Sequence, residues 1–356
     1  MKVDLLRKFL VASMLVTLLV SCVDDMKKYD WLASESAPAG YPMQILGGDF
    51  NDSNGGTLYI PDRKKIQHGW GQRVSKHVVG ADKKQLPNRF DVLYFSYTEN
   101  TFYQGAFDLP EKQIQNLFAE GYFEPEPDEE LPYYRIVVGV APGGLVSVWV
   151  QGAYKSVEVF SGIAEKVDAP WEIVYSGSKY SRSEYVNRVL EREIGQDRID
   201  EINQNGIPLD RWKKYQTRYD WKPLVTGPTM PKVIKGIQFV NGERDYYSKA
   251  YDNAWENEPK AAPLSFRFNW KHKSDKVYHV SFELDAEEVT KAFEEVAKDG
   301  SQEIIFNIDI EEVENSLFYR IFVRSDSGSV ELKIVSHEHR LSGMTGSKLE
   351  KFLREN

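Results

Sequence analysis

The sequence predicts an α+β protein of two related β-rich domains, each with antiparallel strands and one helix, separated by a helical insert. Three observations carry that reading. Aromatic residues make up 13% of the chain, and many fall in alternating runs such as "DVLYFSYTE" (91–99) and "FYQGAFDL" (102–109). Such alternation marks strands with one face on a core and the other toward water. The order strand, long gap, strand, strand, helix, strand, strand occurs twice, as an internal duplication would write it. Between the two occurrences, residues 152–229 change to a helical period.

Taken in order, residues 1–21 read as a lipoprotein signal peptide. Lys2, Arg7 and Lys8 stand against a single Asp4, and a mostly apolar run follows from Phe9 to Val20. That run has secretory length and is too short for a permanent membrane helix. Leu19-Val20-Ser21-Cys22 resembles a bacterial lipobox, in which the cysteine is acylated and the chain is cut before it. Cys22 is the only cysteine present, so its acylation leaves no thiol for a disulfide, a metal or a nucleophile. Two or three acyl chains anchor stably where one holds weakly. Val23 stands where an inner-membrane retention signal has Asp, and Asp24-Asp25 follow. The expected location is therefore the outer membrane, on its periplasmic face or at the cell surface. Residues 22–40 read as the acylated cysteine and a tether.

The first β-rich repeat spans 41–151 and the second 230–345. Pro42, Ile45, Gly47 and Phe50 lie over Pro231, Ile234, Gly236 and Phe239 at one constant offset. Further on, Leu93, Phe95, Tyr103, Phe107 and Leu109 meet Phe268, Trp270, Tyr278, Phe282 and Leu284, and Tyr134-Arg135-Ile136 meets Tyr319-Arg320-Ile321. A helix is expected after each hairpin. One is "PEKQIQNLFAEG" (110–121), with Pro in its first turn and Gly at its end. The other is 285–298, with Val289, Ala292, Phe293 and Val296 on one side. In the insert, 152–229, Ser181 and Glu184 form a capping-box pattern ahead of a polar helix that Gly195 interrupts. Pro208 opens a short helix bearing Leu209, Trp212 and Tyr215. Residues 124–130 read as a charged, solvated loop.

The segments "WGQ" (70–72), "YFSYTENTFYQGAFDLP" (94–110), "GVAPGGLVSVWVQG" (139–152) and "DRWKKYQTRYDWKP" (210–223) resemble the bacterial family called domain of unknown function 2931. The resemblance runs from 31 to 242 and more loosely to the C-terminus. Ser96, Glu99, Phe102 and Tyr103 with the turn Ala141-Pro142-Gly143-Gly144 are its most specific parts. It implies a lipoprotein and brings no established activity or catalytic residues. A location of some relatives near type VI secretion effectors implies immunity roles for part of the family.

The formal net charge is −9, and residues 1–21 carry more base than acid, so the chain beyond them is more acidic still. That sign argues against nucleic acid, which needs a basic face, and against electrostatic adhesion to anionic lipid. Membrane attachment is expected through acyl chains on Cys22 alone. Gly143-Gly144 is turn chemistry; no GxxxxGK[ST], GxGxxG or GxSxG occurs. His337 and His339 put two imidazoles on one strand face, where zinc wants three or four ligands. No catalytic residue, metal or cofactor is expected.

Two groups are candidates for ligand or partner contact. Glu99 and Tyr103 sit at a hairpin turn, where Glu99 either serves as a general base or ligand contact or, with Ser96, bonds turn amides. Trp212, Tyr215, Arg218 and Trp221 either stack on a partner or glycan or pin the insert to the sheet, with basic ends reaching outward. The expected role is that of a lipid-anchored, non-enzymatic envelope protein of binding or immunity type, its partner a secreted effector or a glycan. An envelope hydrolase or a glycan-binding lipoprotein is the alternative.

Overall fold

Strands that bury every second side chain need a second layer to cover them, and each half of this chain supplies its own. The computed structural model describes residues 27–76, 81–124, 129–177, 179–227, 233–248, 258–271, 276–298, 303–313 and 316–341. The signal run and Cys22 lie outside the described residues.

The first half contains β1 (Leu32–Ser36), β2 (Met43–Gly47), β3 (Asp49–Asn51), β4 (Thr57–Tyr59), β5 (Lys65–Ile66), β6 (Arg89–Ser96), β7 (Thr101–Asp108) and helix α1 (Glu111–Glu120). After them come β8 (Tyr122–Glu124), β9 (Glu129–Leu131), β10 (Arg135–Val140), β11 (Leu145–Gln151), β12 (Ser156–Ile163) and β13 (Glu165–Val167). Helices α2 (Arg182–Asn205) and α3 (Arg211–Lys214) follow. The second half holds β14 (Arg218–Tyr219), β15 (Trp221–Thr226), β16 (Val233–Phe239), β17 (Arg244–Ser248), β18 (Lys260–Ala261), β19 (Pro263–Lys271), β20 (Val277–Leu284) and α4 (Ala286–Val296). It ends with β21 (Ile304–Val313), β22 (Ser316–Ser325), β23 (Gly328–Leu332) and β24 (Ile334–Leu341).

The same series of pairings occurs in both halves. One layer orders β13-β7-β6-β2 in the first half and β24-β20-β19-β16 in the second. The other runs β1-β10-β11-β12 and β15-β21-β22-β23, each opening on a parallel pair (β1 with β10, β15 with β21). Ser156 of β12 pairs with Arg244 of β17, which fuses one layer of each half into a single nine-stranded sheet.

Aromatic side chains fill the interior of each half, and the two interiors join in one buried cluster. Phe90 packs on Phe107 and Phe160, and Tyr94 stacks on Tyr103. In the second half Trp221 sits among Phe239, Phe266, Phe293 and Phe306, and its indole N–H donates to Ala261 O at 3.1 Å.

The helices start and stop where local chemistry directs. Gly121 ends α1 at φ 67°, Asp285 accepts from the Glu287 and Glu288 amides ahead of α4, and the Ser181–Glu184 box is formed in both directions. Gly195 kinks α2 at φ 75°. Val186 and Val189 of α2 pack on Phe95 and Phe102, the face of β6 and β7 turned away from the core. Among the described residues no helix is long and apolar enough to cross a membrane.

Three sequence expectations change. The span 152–229 contains β12, β13, β14 and β15, so its helical part narrows to 182–214; pairing with β11 decides the state of "SVEVFSGI". The stretch read as a tether contains β1, whose polar side chains are buried because Ser34 and Ser36 donate to Ser75 O and Gly69 O. Finally, pairing order sets β21, not β22 with its Tyr319-Arg320-Ile321, in the place that β10 holds. Period-two strings match one another at several registers, and pairing alone chooses between them.

Candidate functional site

Glu99 and Tyr103 are brought together. The Tyr103 hydroxyl donates to Glu99 Oε1 at 2.7 Å, and the Gly143 amide donates to both carboxylate oxygens at 3.3 and 3.2 Å. Glu99 thus ties the β6–β7 turn to the turn between β10 and β11. Burial first, then the bond to Glu99, pushes the Tyr103 phenol well above its ordinary range. Ser96 bonds no turn amide; it is fully buried and its Oγ has no partner among the described residues.

The aromatic and basic group is dispersed. Trp212 meets Tyr41 edge-on at 4.9 Å, Tyr215 is 7% exposed, and Trp221 belongs to the second core. Only Arg218 reaches a polar site, where its Nη2 donates to Glu243 Oε1 at 2.9 Å. His337 and His339 share a face beside Tyr319, with ring centroids at 6.2 and 6.3 Å. Burial, then His337, lowers the His339 pKa. No group of three or more metal-ligating side chains occurs among the described residues.

Arg218 leads to the seam between the halves. The face of β10, β11 and β12 turned away from the first core is covered by residues 69–75, by α3 with Gln216, and by the β16–β17 turn. Two glycines make that cover possible. Gly71 (φ 73°) and Gly242 (φ 86°) cross so closely that a Cβ on Gly71 would lie 2.5 Å from Gly242 Cα. Beneath them, Trp149 donates to Asn241 O at 3.1 Å and meets Trp70 edge-on, and Gln151 Nε2 donates to Gly71 O at 2.8 Å.

The seam holds a pair of carboxylates. Glu158 accepts from Gln216 Nε2 and Asn241 Nδ2, both at 3.2 Å, while its own amide donates to Glu243 Oε1 at 3.0 Å. Burial is the largest effect on the Glu158 carboxyl. Glu243 adds to it, Ser147, Arg218 and Asn241 oppose it, and the pKa is pushed up to about 7. Here the Glu158 oxygens and Glu243 Oε1 are engaged by protein donors, so the two carboxylates tie the halves together through hydrogen bonds.

Sequence reading missed Glu158 and Glu243. Two signals were present: a lone glutamate inside the apolar alternation of "SVEVF", and the Asn241-Gly242 dipeptide that marks a hairpin turn.

A family model described as a protein of unknown function, DUF2931, matches residues 20–210. No curated protein and no solved structure matches the chain.

Proposed function

The chain belongs to the DUF2931 family, and from that premise we propose that it is a lipid-anchored protein of the cell envelope that binds rather than transforms its partner. The sequence ending at Cys22 carries the reading: a basic start, an apolar run of secretory length and a lipobox, in that order. Such an anchor places the protein at the outer membrane. The acidic chain suits a basic partner such as a secreted toxic effector, and an immunity role is the specific form of the proposal.

The non-enzymatic part draws on Glu99. Of the residues most specific to the family resemblance, Glu99, Tyr103 and Gly143 spend their polar groups on one another. The fold itself is read as a duplicated unit, supported by the recurrence of its pairings and by a helix after the central hairpin of each half.

Growth with radiolabelled palmitate tests the anchor. The natural chain is expected to take up label and fractionate with outer membrane, and Cys22→Ala to do neither. Equal labelling of both, or none in either with the natural chain in the soluble fraction, defeats the proposal.

A further inference from the structure

We propose that the seam also carries a binding site for a small dianionic oxyanion, a phosphate or sulfate group, held by Arg73, Arg135 and Arg244. The inference deepens the binding reading above, but its test does not involve acylation.

The register places the residues. Arg135 of β10 lies opposite Gln151 of β11, Gln151 opposite Ser156 of β12, and Ser156 opposite Arg244 of β17. Directly paired residues share a face, so one row across four strands carries a guanidinium at each end. With strands spaced about 4.8 Å apart, the ends are close enough for two extended arginines to converge above Gln151 and Ser156. Gln151 donates to Gly71 O, so residues 69–75 cover this row, and Arg73 belongs to that covering segment.

Among the described residues no carboxylate forms an ion pair with these guanidiniums. Arg135 is 4% exposed, and its Nε and Nη1 have no hydrogen-bond partner among the described residues; the same holds for Arg244 Nε and Arg73 Nη1. After burial, the leading charged neighbour of both Arg135 and Arg244 is Arg73. Arg267 also acts on Arg244, and the phenols of Tyr134 and Tyr122 border the group. Together these effects lower the Arg244 pKa to about 10, which leaves it charged at neutral pH. Several other arginines have carboxylates: Arg211 has Glu287, Arg218 has Glu243 and Arg320 has Glu331. A buried charge without compensation is strongly destabilising, so the buried Arg135, with the half-buried Arg73 and Arg244 beside it, points to a ligand that supplies the opposite sign.

The chemistry of that ligand follows from the donors. One guanidinium fork serves a planar carboxylate by itself. Three forks on three separate segments suit a tetrahedral group that offers an oxygen to each, and a dianion offsets their like charge better than a monoanion. The depth of Arg135 limits the group to a small one.

The test uses full-length protein in detergent, followed by calorimetric titration and thermal unfolding. Phosphate, sulfate and acetate are each compared with sodium chloride at equal ionic strength. Phosphate and sulfate are expected to bind saturably at one site and raise the unfolding midpoint with the logarithm of their concentration. Arg135→Gln and Arg244→Gln should each weaken binding by roughly tenfold or more, with Arg320→Gln unchanged. Without anion, Arg135→Met should be at least as stable as the natural chain, because it removes an uncompensated buried charge, and it should lose the phosphate response. If a sheet variant misfolds, Arg73→Gln in the covering segment takes its place. Three results would each overturn the proposal: no saturable response in the natural chain; an equal response to acetate; or unchanged affinity in the arginine variants.

Discussion

The two halves share one order of pairings and differ in what covers the far side of one sheet. In the first half every residue of β10 and β11 is buried, because residues 69–75, α3 and the β16–β17 turn close over the face opposite the core. In the second half the corresponding face of β21 and β22 is only partly covered: Asn307 and Phe322 are buried, whereas Glu311, Phe318 and Arg320 are exposed. Arg320 pairs with Glu331, Arg324 with Asp309, and both guanidiniums lie over the Phe322 ring at 4.8 and 4.3 Å. One strand arrangement therefore yields an internal face that concentrates buried carboxylates and arginines, and an external face whose charges pair across the strands. Covering a face, more than forming it, creates a polar site.

The contrast can be broken most severely at the aromatic residues of the two faces. Trp149→Ala should cost about 3–5 kcal/mol in urea unfolding, since it empties a fully enclosed position and strands the Asn241 carbonyl. Phe322→Ala should cost less than about 2 kcal/mol, because long flexible arginines form much of its cover. Equal losses would mean that the two faces are energetically alike.

Titration sharpens the comparison. Glu158 has a folded pKa of about 7 against an ordinary 4.5. Its stabilising contribution is therefore complete below pH 4.5 and is lost as pH rises through 7, an effect of order 3 kcal/mol. Glu158→Gln should abolish that slope and exceed the natural chain in stability at pH 8, read from denaturation midpoints across the range. Asp309, on the open face, moves the other way. Burial raises its pKa, yet hydrogen bonds from Thr226 and Asn307 and the Arg324 charge outweigh burial and leave it below 3.8. Asp309→Asn should flatten only the acid limb, below the ordinary aspartate range.

The smallest effect is expected at the tip of the first half. Glu99→Gln weakens the tie from Tyr103 and Gly143 to one carboxamide oxygen and should cost about 1–2 kcal/mol. The pH slope assigned to Glu158 should remain. A change in that slope would show that tip and seam act as one unit.

Much of the scaffold is legible in the chain. The 91–109 hairpin, both post-hairpin helices, the Ser181–Glu184 box and the kink at Gly195 depend on residues within a few positions of one another, and local rules found them. The tether reading of 22–40 does not hold at 32–36, because "LASES" looks solvated until Ser75 O and Gly69 O are brought over it. Arg218 was grouped with aromatic neighbours in sequence, whereas its partner Glu243 comes from another strand region.

The sequence by itself determined the strand periodicity, the caps and the helix that follows each central hairpin, because these follow from the local geometry of backbone and side chain. Only the tertiary structure decided register, the fusion into one nine-stranded sheet and the assembly of the seam. Those features join residues as far apart as Gly71, Glu158 and Gly242. Their energies come from burial and from the satisfaction of polar groups, and neither exists until distant segments meet.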